Sequence, residues 1–336
     1  MKHCIHLFVF IFFLQGCTSQ PKKINGVSYV ASGDPTTQEQ VQQVKNLNAN
    51  YAAVMPFAFI RDLINPTLSF NTDRQWYGER REGVQQYIEM FQKNNIGIMM
   101  KPQIWIRHGE FTGYLKMTSE EDWKTLEQSY REFILLYAEL AEETNVEIFC
   151  IGTELEQFIA QRPTFWEQLI LEVKQVFKGK LTYAANWDEY KRVPFWQQLD
   201  FIGVDGYFPV SNLRTPTVED AQKGWQGWKS EMMTFSEQQK RPILFTEYGY
   251  RSVDYSGKEP WKSDRKMEGL NLEAQNNLYS AFFTEIYPEP WFAGGFIWKW
   301  FIDDAAVGGP ENTMFTPQNK PVEHTIQQHF EKEAHR

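Results

Sequence analysis

At 336 residues, with 42% hydrophobic and 23% charged side chains, the chain can bury a large core, and its length suits one α/β barrel as well as two ordinary domains. A formal net charge of −9, with no basic block in the body of the chain, argues against nucleic acid or an anionic membrane surface as a partner. Aromatic residues make up 16% of the sequence, enough for a Phe-rich core and for exposed Trp and Tyr platforms besides.

The chain opens with Lys2 and an apolar stretch from Ile5 to Leu14, too short to span a bilayer as a stable helix. It ends in Leu14-Gln15-Gly16-Cys17, which resembles a bacterial lipoprotein signal box. That resemblance implies removal of residues 1–16, a lipid on Cys17, a polar tether over 17–23 and a mature domain over 24–336. An ordinary secretory signal with an incidental Cys is the alternative. The expected location is outside the cytoplasm, anchored by lipid to a bacterial membrane, and Thr18 in place of Asp suits an outer membrane or cell surface. The other cysteines, Cys4 and Cys150, form no disulfide framework or zinc pattern, and Cys150 sits in an apolar run as a small buried hydrophobe.

From Gly26 onward, strand-like and helix-like segments alternate. Short apolar runs without period-two patterning predict eight strands, over 26–31, 51–56, 96–101, 147–153, 180–185, 200–205, 242–247 and 294–298. The amphipathic stretches between them carry start signals. Thr36 with Glu39, Thr118 with Glu121, and Thr164 with Glu167 predict capping boxes before three of the helices. This alternation predicts a single-domain (β/α)8 barrel. The alternative, a doubly wound open sheet, usually carries a glycine-rich phosphate loop after its first strand, and the sequence has none. The longer connections follow the second, third, seventh and eighth strands and should project from the C-terminal face of the barrel.

Two glutamates close buried runs at that face. Glu154 follows Ile148–Thr153 at the end of the fourth strand, and Glu247 ends Ile243–Glu247 in the seventh. A carboxylate placed where dehydration is costly usually serves chemistry. Paired carboxyls at a barrel mouth are what glycosidic cleavage needs, one to protonate the leaving oxygen and one to attack the sugar or activate water. Glu156 is a weaker candidate for the acid. The other strand ends offer groups for sugar hydroxyls or ring stacking: Lys101, Trp105, His108, Asn186, Trp187, Asp205, Tyr248, Trp298 and Trp300. Each has an alternative reading as barrel-mouth packing or a salt bridge.

No cofactor is expected. Of the six His residues, His108 alone falls in the barrel body, which disfavours metal-dependent hydrolysis. Asp303-Asp304 reads as a solvated acidic loop more readily than as a cation site, and there is no Gly-x-Ser-x-Gly elbow for a serine hydrolase.

The stretch from Cys150 to Glu156, Cys-Ile-Gly-Thr-Glu-Leu-Glu, together with Phe245-Thr246-Glu247-Tyr248-Gly249-Tyr250, resembles glycoside hydrolase family 113 of the retaining barrel clan, over roughly residues 24–330. The resemblance implies a two-glutamate retaining mechanism on β-1,4-linked, mannose-containing polysaccharide. It makes Glu154 the acid/base, Glu247 the nucleophile, Tyr207 a hydrogen-bond donor to the nucleophile, and Trp298 the floor under the cleaved sugar. Retention requires the two carboxyls about 5–5.5 Å apart, and repulsion from Glu247 should raise the pKa of Glu154. The clan usually has Asn before its acid/base where this chain has Thr153, which leaves the contact to the sugar 2-hydroxyl unassigned. A non-catalytic surface glycan-binding lipoprotein and an exo-acting β-glycosidase of other specificity are the competing functions.

Overall fold

The computed structural model describes residues 22–263 and 269–334. Its strands are β1 Ile24–Tyr29, β2 Tyr51–Val54, β3 Phe57–Ile60, β4 Ser69–Phe70, β5 Gly97–Met100, β6 Gln103–Ile106, β7 Ile148–Thr153, β8 Lys180–Asn186, β9 Ile202–Asp205, β10 Ile243–Tyr248 and β11 Phe292–Trp300. The helices are α1 Gln38–Asn46, α2 Arg81–Gln92, α3 Glu120–Glu143, α4 Glu156–Gln161, α5 Pro163–Val176, α6 Val218–Gln239, α7 Leu272–Glu285 and α8 Pro321–Ala334. Eight strands close into a barrel in the order β1-β11-β10-β9-β8-β7-β5-β2, every neighbour parallel. Together with the helices around it, this is the (β/α)8 barrel expected from the alternation, and all eight predicted strands belong to it. Strands buried on both faces explain the unbroken apolar runs.

Inside the barrel, Ile24, Ala53, Met99, Ile148, Phe201, Leu244 and Phe296 form their own buried cluster toward the strand N-termini. Gly26 makes room for it, since a Cβ there would lie 2.3 Å from the Phe296 ring. The larger core lies between strands and helices. Lys23, expected as the last residue of a loose tether, is instead buried, its ammonium donating to the carbonyls of Glu289 and Phe292 beneath the barrel. The signal segment, Cys4 and Cys17 lie outside the described residues.

Three expected caps fall elsewhere. Thr37, not Thr36, caps α1 in a box with Gln40, because the Thr36 hydroxyl is taken up by Tyr29. Ser119, not Thr118, caps α3 through Asp122 N. Helix α5 starts on Pro163 with no side-chain cap, leaving Thr164 inside its first turn. The fourth unit carries two helices, α4 and α5, whereas only the 3-10 turns Tyr190–Arg192 and Trp196–Gln198 link β8 to β9. Buried Tyr190 and Trp196 fill the position a helix would cover.

The sequence also gave no sign of a second, three-stranded sheet, β4-β3-β6. Pro56 and Pro102, which lack an N–H, interrupt the barrel ladder just past β2 and β5. Each chain then resumes as a strand above the mouth, with Gln103 N donating to Pro56 O at 2.9 Å. The register sets Phe57 beside Gln103 and Phe59 beside Trp105, all on one face. No helix among the described residues is long and apolar enough to cross a membrane.

Candidate active site

Glu154 follows directly on β7 in a left-handed conformation, φ 50°, that is uncommon for a residue with a side chain. The turn is held by Glu154 N donating to Ala184 O at 2.8 Å and Leu155 N donating to the Tyr183 hydroxyl at 2.6 Å. Tyr183 itself donates to Glu189, a carboxyl that burial pushes up to about 7. These bonds fix the backbone that carries the first candidate carboxyl.

Glu247, in β10 and nearly buried, accepts bonds from three other residues. Lys101 Nζ reaches Oε1 at 2.5 Å and Gln103 Nε2 reaches the same oxygen at 3.2 Å, while the Tyr207 hydroxyl donates to Oε2 at 2.8 Å. A set made only of donors, ammonium, amide and phenol, suits an ionised carboxylate, which can only accept. Glu154 receives no such set. Burial first, then the charges of Asp205 and Glu247, drive its pKa well above the carboxylate range, with Lys101 opposing. The expected repulsion from Glu247 is therefore present but ranks behind desolvation and Asp205. The two carboxyls thus stand in different surroundings, Glu247 wrapped by donors and Glu154 desolvated among negative charges, the pattern that separates an acid from its partner carboxylate.

Both carboxyls line one cleft of about 1380 Å³ at the C-terminal face of the barrel. Tyr207, Trp105, Asn186, Trp187 and Trp298, all named from the sequence, line it too. The Asn186 Oδ1 is occupied by Trp187 N at 2.8 Å. Trp187 stacks on Trp261, with ring centroids 5.2 Å apart. Trp298 is joined to Lys299 by a cis peptide, and the Lys299 ammonium lies over the rings of Trp298 and Phe301. Burial lowers the pKa of that ammonium. Thr153 lines the cleft with its Oγ1 buried and without a hydrogen-bond partner among the described residues.

Five expected sugar contacts do not reach the cleft. Lys101 and Asp205 are wholly buried beneath Glu247, on side chains that point into the barrel rather than its mouth. Tyr248 follows Glu247 by one residue, so it faces the other side of β10 and packs against Tyr279 and Phe282 of α7. Trp300 is 1% exposed, because β11 loses its regular register with β1 before reaching it. His108 is exposed in a tight turn, φ 68°, and is not part of the cleft wall. Glu156 borders the cleft but is ion-paired to Arg192, so it has no free carboxyl to offer.

Gln103, Thr246, Phe57, Phe59, Trp76, Trp261 and Lys299 belong to the site or its supports without having been expected there. The aromatic ones stand in long βα loops, where nothing periodic marks them. Among the described residues no group of His, Cys, Asp and Glu is arranged to hold a metal, and Asp304 accepts from Gln318 Nε2 at 2.8 Å within its loop.

A closed parallel barrel with two differently poised carboxyls at the C-terminal ends of its strands is the architecture of a hydrolase acting on sugars. The model of Glycoside Hydrolase Family 113 matches residues 30–320, and the chain belongs to that family of glycoside hydrolases. Among solved structures it is similar to the GH113 β-mannanase AaManA from Alicyclobacillus acidocaldarius in complex with ManMIm. The TM-score is 0.81 at 22% identity, covering 93% of this chain and 98% of that one. A second GH113 β-1,4-mannanase complex gives 0.80 at 21% identity, covering 93% and 99%. The Faecalibacterium prausnitzii β-glucuronidase shares the barrel at 0.62 and 18% identity, covering 93% of this chain and 49% of that one. A comparison with curated proteins returns no match.

Proposed function

We propose that this glycoside hydrolase cleaves internal β-1,4-linkages in mannose-containing polysaccharide with retention, Glu154 acting as acid/base and Glu247 as nucleophile. The observation that carries this reading is the contrast between the two carboxyls: Glu247 accepts from Lys101, Gln103 and Tyr207, while Glu154 is half-buried, has no such donors, and has its pKa raised well above the carboxylate range by desolvation and by Asp205 and Glu247. With a sugar over Trp298, the Glu154 proton passes to the glycosidic oxygen as a Glu247 oxygen bonds to the anomeric carbon and the alcohol leaves. Water then attacks that carbon, giving its proton to the Glu154 carboxylate and releasing Glu247.

Mannose as the sugar is supported by family membership and by the similar structures being GH113 β-mannanases. Internal cleavage is supported by the length of the aromatic lining. Phe57, Phe59 and Trp105 continue from Gln103 along one wall, and Trp187 with Trp261 lines another part of the cleft. Stacking platforms away from the reacting carboxyls suit a chain of several sugars. Incubating the soluble domain with β-mannan should release a ladder of short oligosaccharides and lower viscosity early. Glu154→Gln and Glu247→Gln should each reduce kcat by about 10⁴-fold or more with the fold intact. Activity surviving both substitutions would sink the assignment.

The Leu-Gln-Gly-Cys box supports a companion proposal, that the enzyme works outside the cytoplasm, held to a bacterial membrane by lipid on Cys17. Fatty-acid labelling of the full-length chain should be lost in Cys17→Ser.

A further inference from the structure

Beneath Glu247 lie two buried charged residues, Lys101 and Asp205, that line no part of the cleft. Lys101, just past β5, is 0% exposed, and its ammonium bonds Glu247 Oε1 at 2.5 Å and Asp205 Oδ1 at 3.2 Å. Asp205, at the end of β9, is 0% exposed too and accepts from Thr246 Oγ1 at 2.7 Å. One cation therefore stands between two carboxyls from different strands. Only one of those carboxyls, Glu247, borders the cleft.

We propose that Lys101 and Asp205 are positioning residues that set the pH window of the reaction: Lys101 is the counter-ion that fixes Glu247, and Asp205 draws off part of that cation's charge. The proposal rests on the roles given above to Glu154 and Glu247. Its physical content is a competition. When Asp205 is ionised, Lys101 is shared, and Glu247 and Glu154 both feel an additional buried negative charge. When Asp205 is neutral, the whole ammonium is directed at Glu247.

The surroundings favour this division. Burial, then the charge of Glu247, pushes the Asp205 carboxyl up to about 7, against the pull of Lys101 and Thr246. Burial pulls the Lys101 ammonium down, but Asp205 and Glu247 outweigh it and keep it charged. Other groups facing the cluster are fewer and weaker. Cys150 from β7 is a buried thiol pushed up to about 11 and stays neutral. Tyr207 is a donor whose phenol burial keeps protonated. Lys299 from β11 acts on Glu247 at longer range, and Glu189, in the loop after β8, adds a smaller repulsion to Glu154. Glu156 is neutralised by Arg192.

Two substitutions should displace the pH profile in opposite directions. In Asp205→Asn the amide keeps an oxygen for Thr246 and Lys101, but the negative charge is gone. Both limbs of kcat/KM should then move to lower pH, the alkaline limb because Glu154 loses an ionised neighbour. In Lys101→Met the cation is gone, so both limbs should move to higher pH, and kcat should fall by about 100-fold. The experiment measures kcat/KM against pH on a soluble mannooligosaccharide, with circular dichroism to verify folding. A loss of activity with unmoved limbs, or limbs displaced the same way in both variants, overturns the proposal. If Lys101→Met fails to fold, Asp205→Asn decides alone, and an unmoved alkaline limb there is the overturning result. Absence of any hydrolysis by the unsubstituted enzyme would instead remove the underlying reading of Glu154 and Glu247.

Discussion

Tyr207 isolates what one hydrogen bond does at Glu247, the proposed nucleophile. Its hydroxyl is the donor to Glu247 Oε2, whereas Lys101 and Gln103 share Oε1. Tyr207→Phe removes that donor and leaves the ring, which packs against Phe315. Glu247 would then be free to rotate about its remaining contacts, so kcat should fall by about 10–100-fold while KM changes little. Steady-state kinetics on mannooligosaccharides, beside a thermal melt, separate this from a packing defect, and an unchanged kcat would reduce Tyr207 to a packing residue. At this scale the site was legible where a residue's position along the chain determines its surroundings. Glu154 and Glu247 each close an apolar run, and a buried strand end is visible in one dimension. Gln103 and Thr246 were not legible, because their partners come from other strands and no spacing records them. Lys101 and Asp205 were visible as polar strand ends, but nothing local says that their side chains turn down into the barrel, away from substrate.

Among the elements, strands were easier to read than their decoration. A run buried on both faces has one composition wherever it sits, which is why all the barrel strands were found. The small sheet β4-β3-β6 escaped because its strands are two to four residues long and pair across distant loops. The caps of α1 and α3 were placed one residue early, since Thr36-Thr37 and Thr118-Ser119 each offer adjacent hydroxyls. Helix α6 holds a sharper test of local against tertiary preference. It contains Gly224 and Gly227, both in positions where helix propensity alone favours Ala by about 1 kcal/mol. A Cβ at Gly224 would lie 1.7 Å from Val210 O, a backbone atom, whereas one at Gly227 would meet nothing within 4 Å. Gly224→Ala should therefore destabilise by about 1–3 kcal/mol as the helix is forced off the 210 loop. Gly227→Ala should stabilise by about 0.5–1 kcal/mol. Urea unfolding midpoints measure both, and an equal response would show that the close approach to Val210 is not what requires glycine.

For the molecule as a whole, the division of labour follows the barrel axis. Lys23, Phe296 and their neighbours close the lower end, while chemistry gathers at the strand C-termini. The charge balance of the upper end bears on which polymers can enter. The cleft is lined by six acidic side chains, Glu79, Glu110, Glu154, Glu156, Asp188 and Glu247, against three basic ones, Arg74, Lys262 and Lys299. The raised pKa of Glu154 lessens its negative charge, and Arg192 offsets that of Glu156 from outside the lining, but the chain's own −9 stands behind both. A carboxylated polysaccharide would meet repulsion at the mouth, whereas a neutral one would bind through stacking and hydroxyl contacts that salt barely touches. Hydrolysis of neutral β-mannan should thus change less than about twofold as ionic strength rises from about 0.01 M to about 1 M, where the screening length shortens from roughly 30 Å to 3 Å. The same backbone carrying carboxylate substituents should be cut slowly at low salt and faster as salt screens the cleft. Equal rates on the two polymers at low ionic strength would show that the acidic lining plays no part in selecting the substrate.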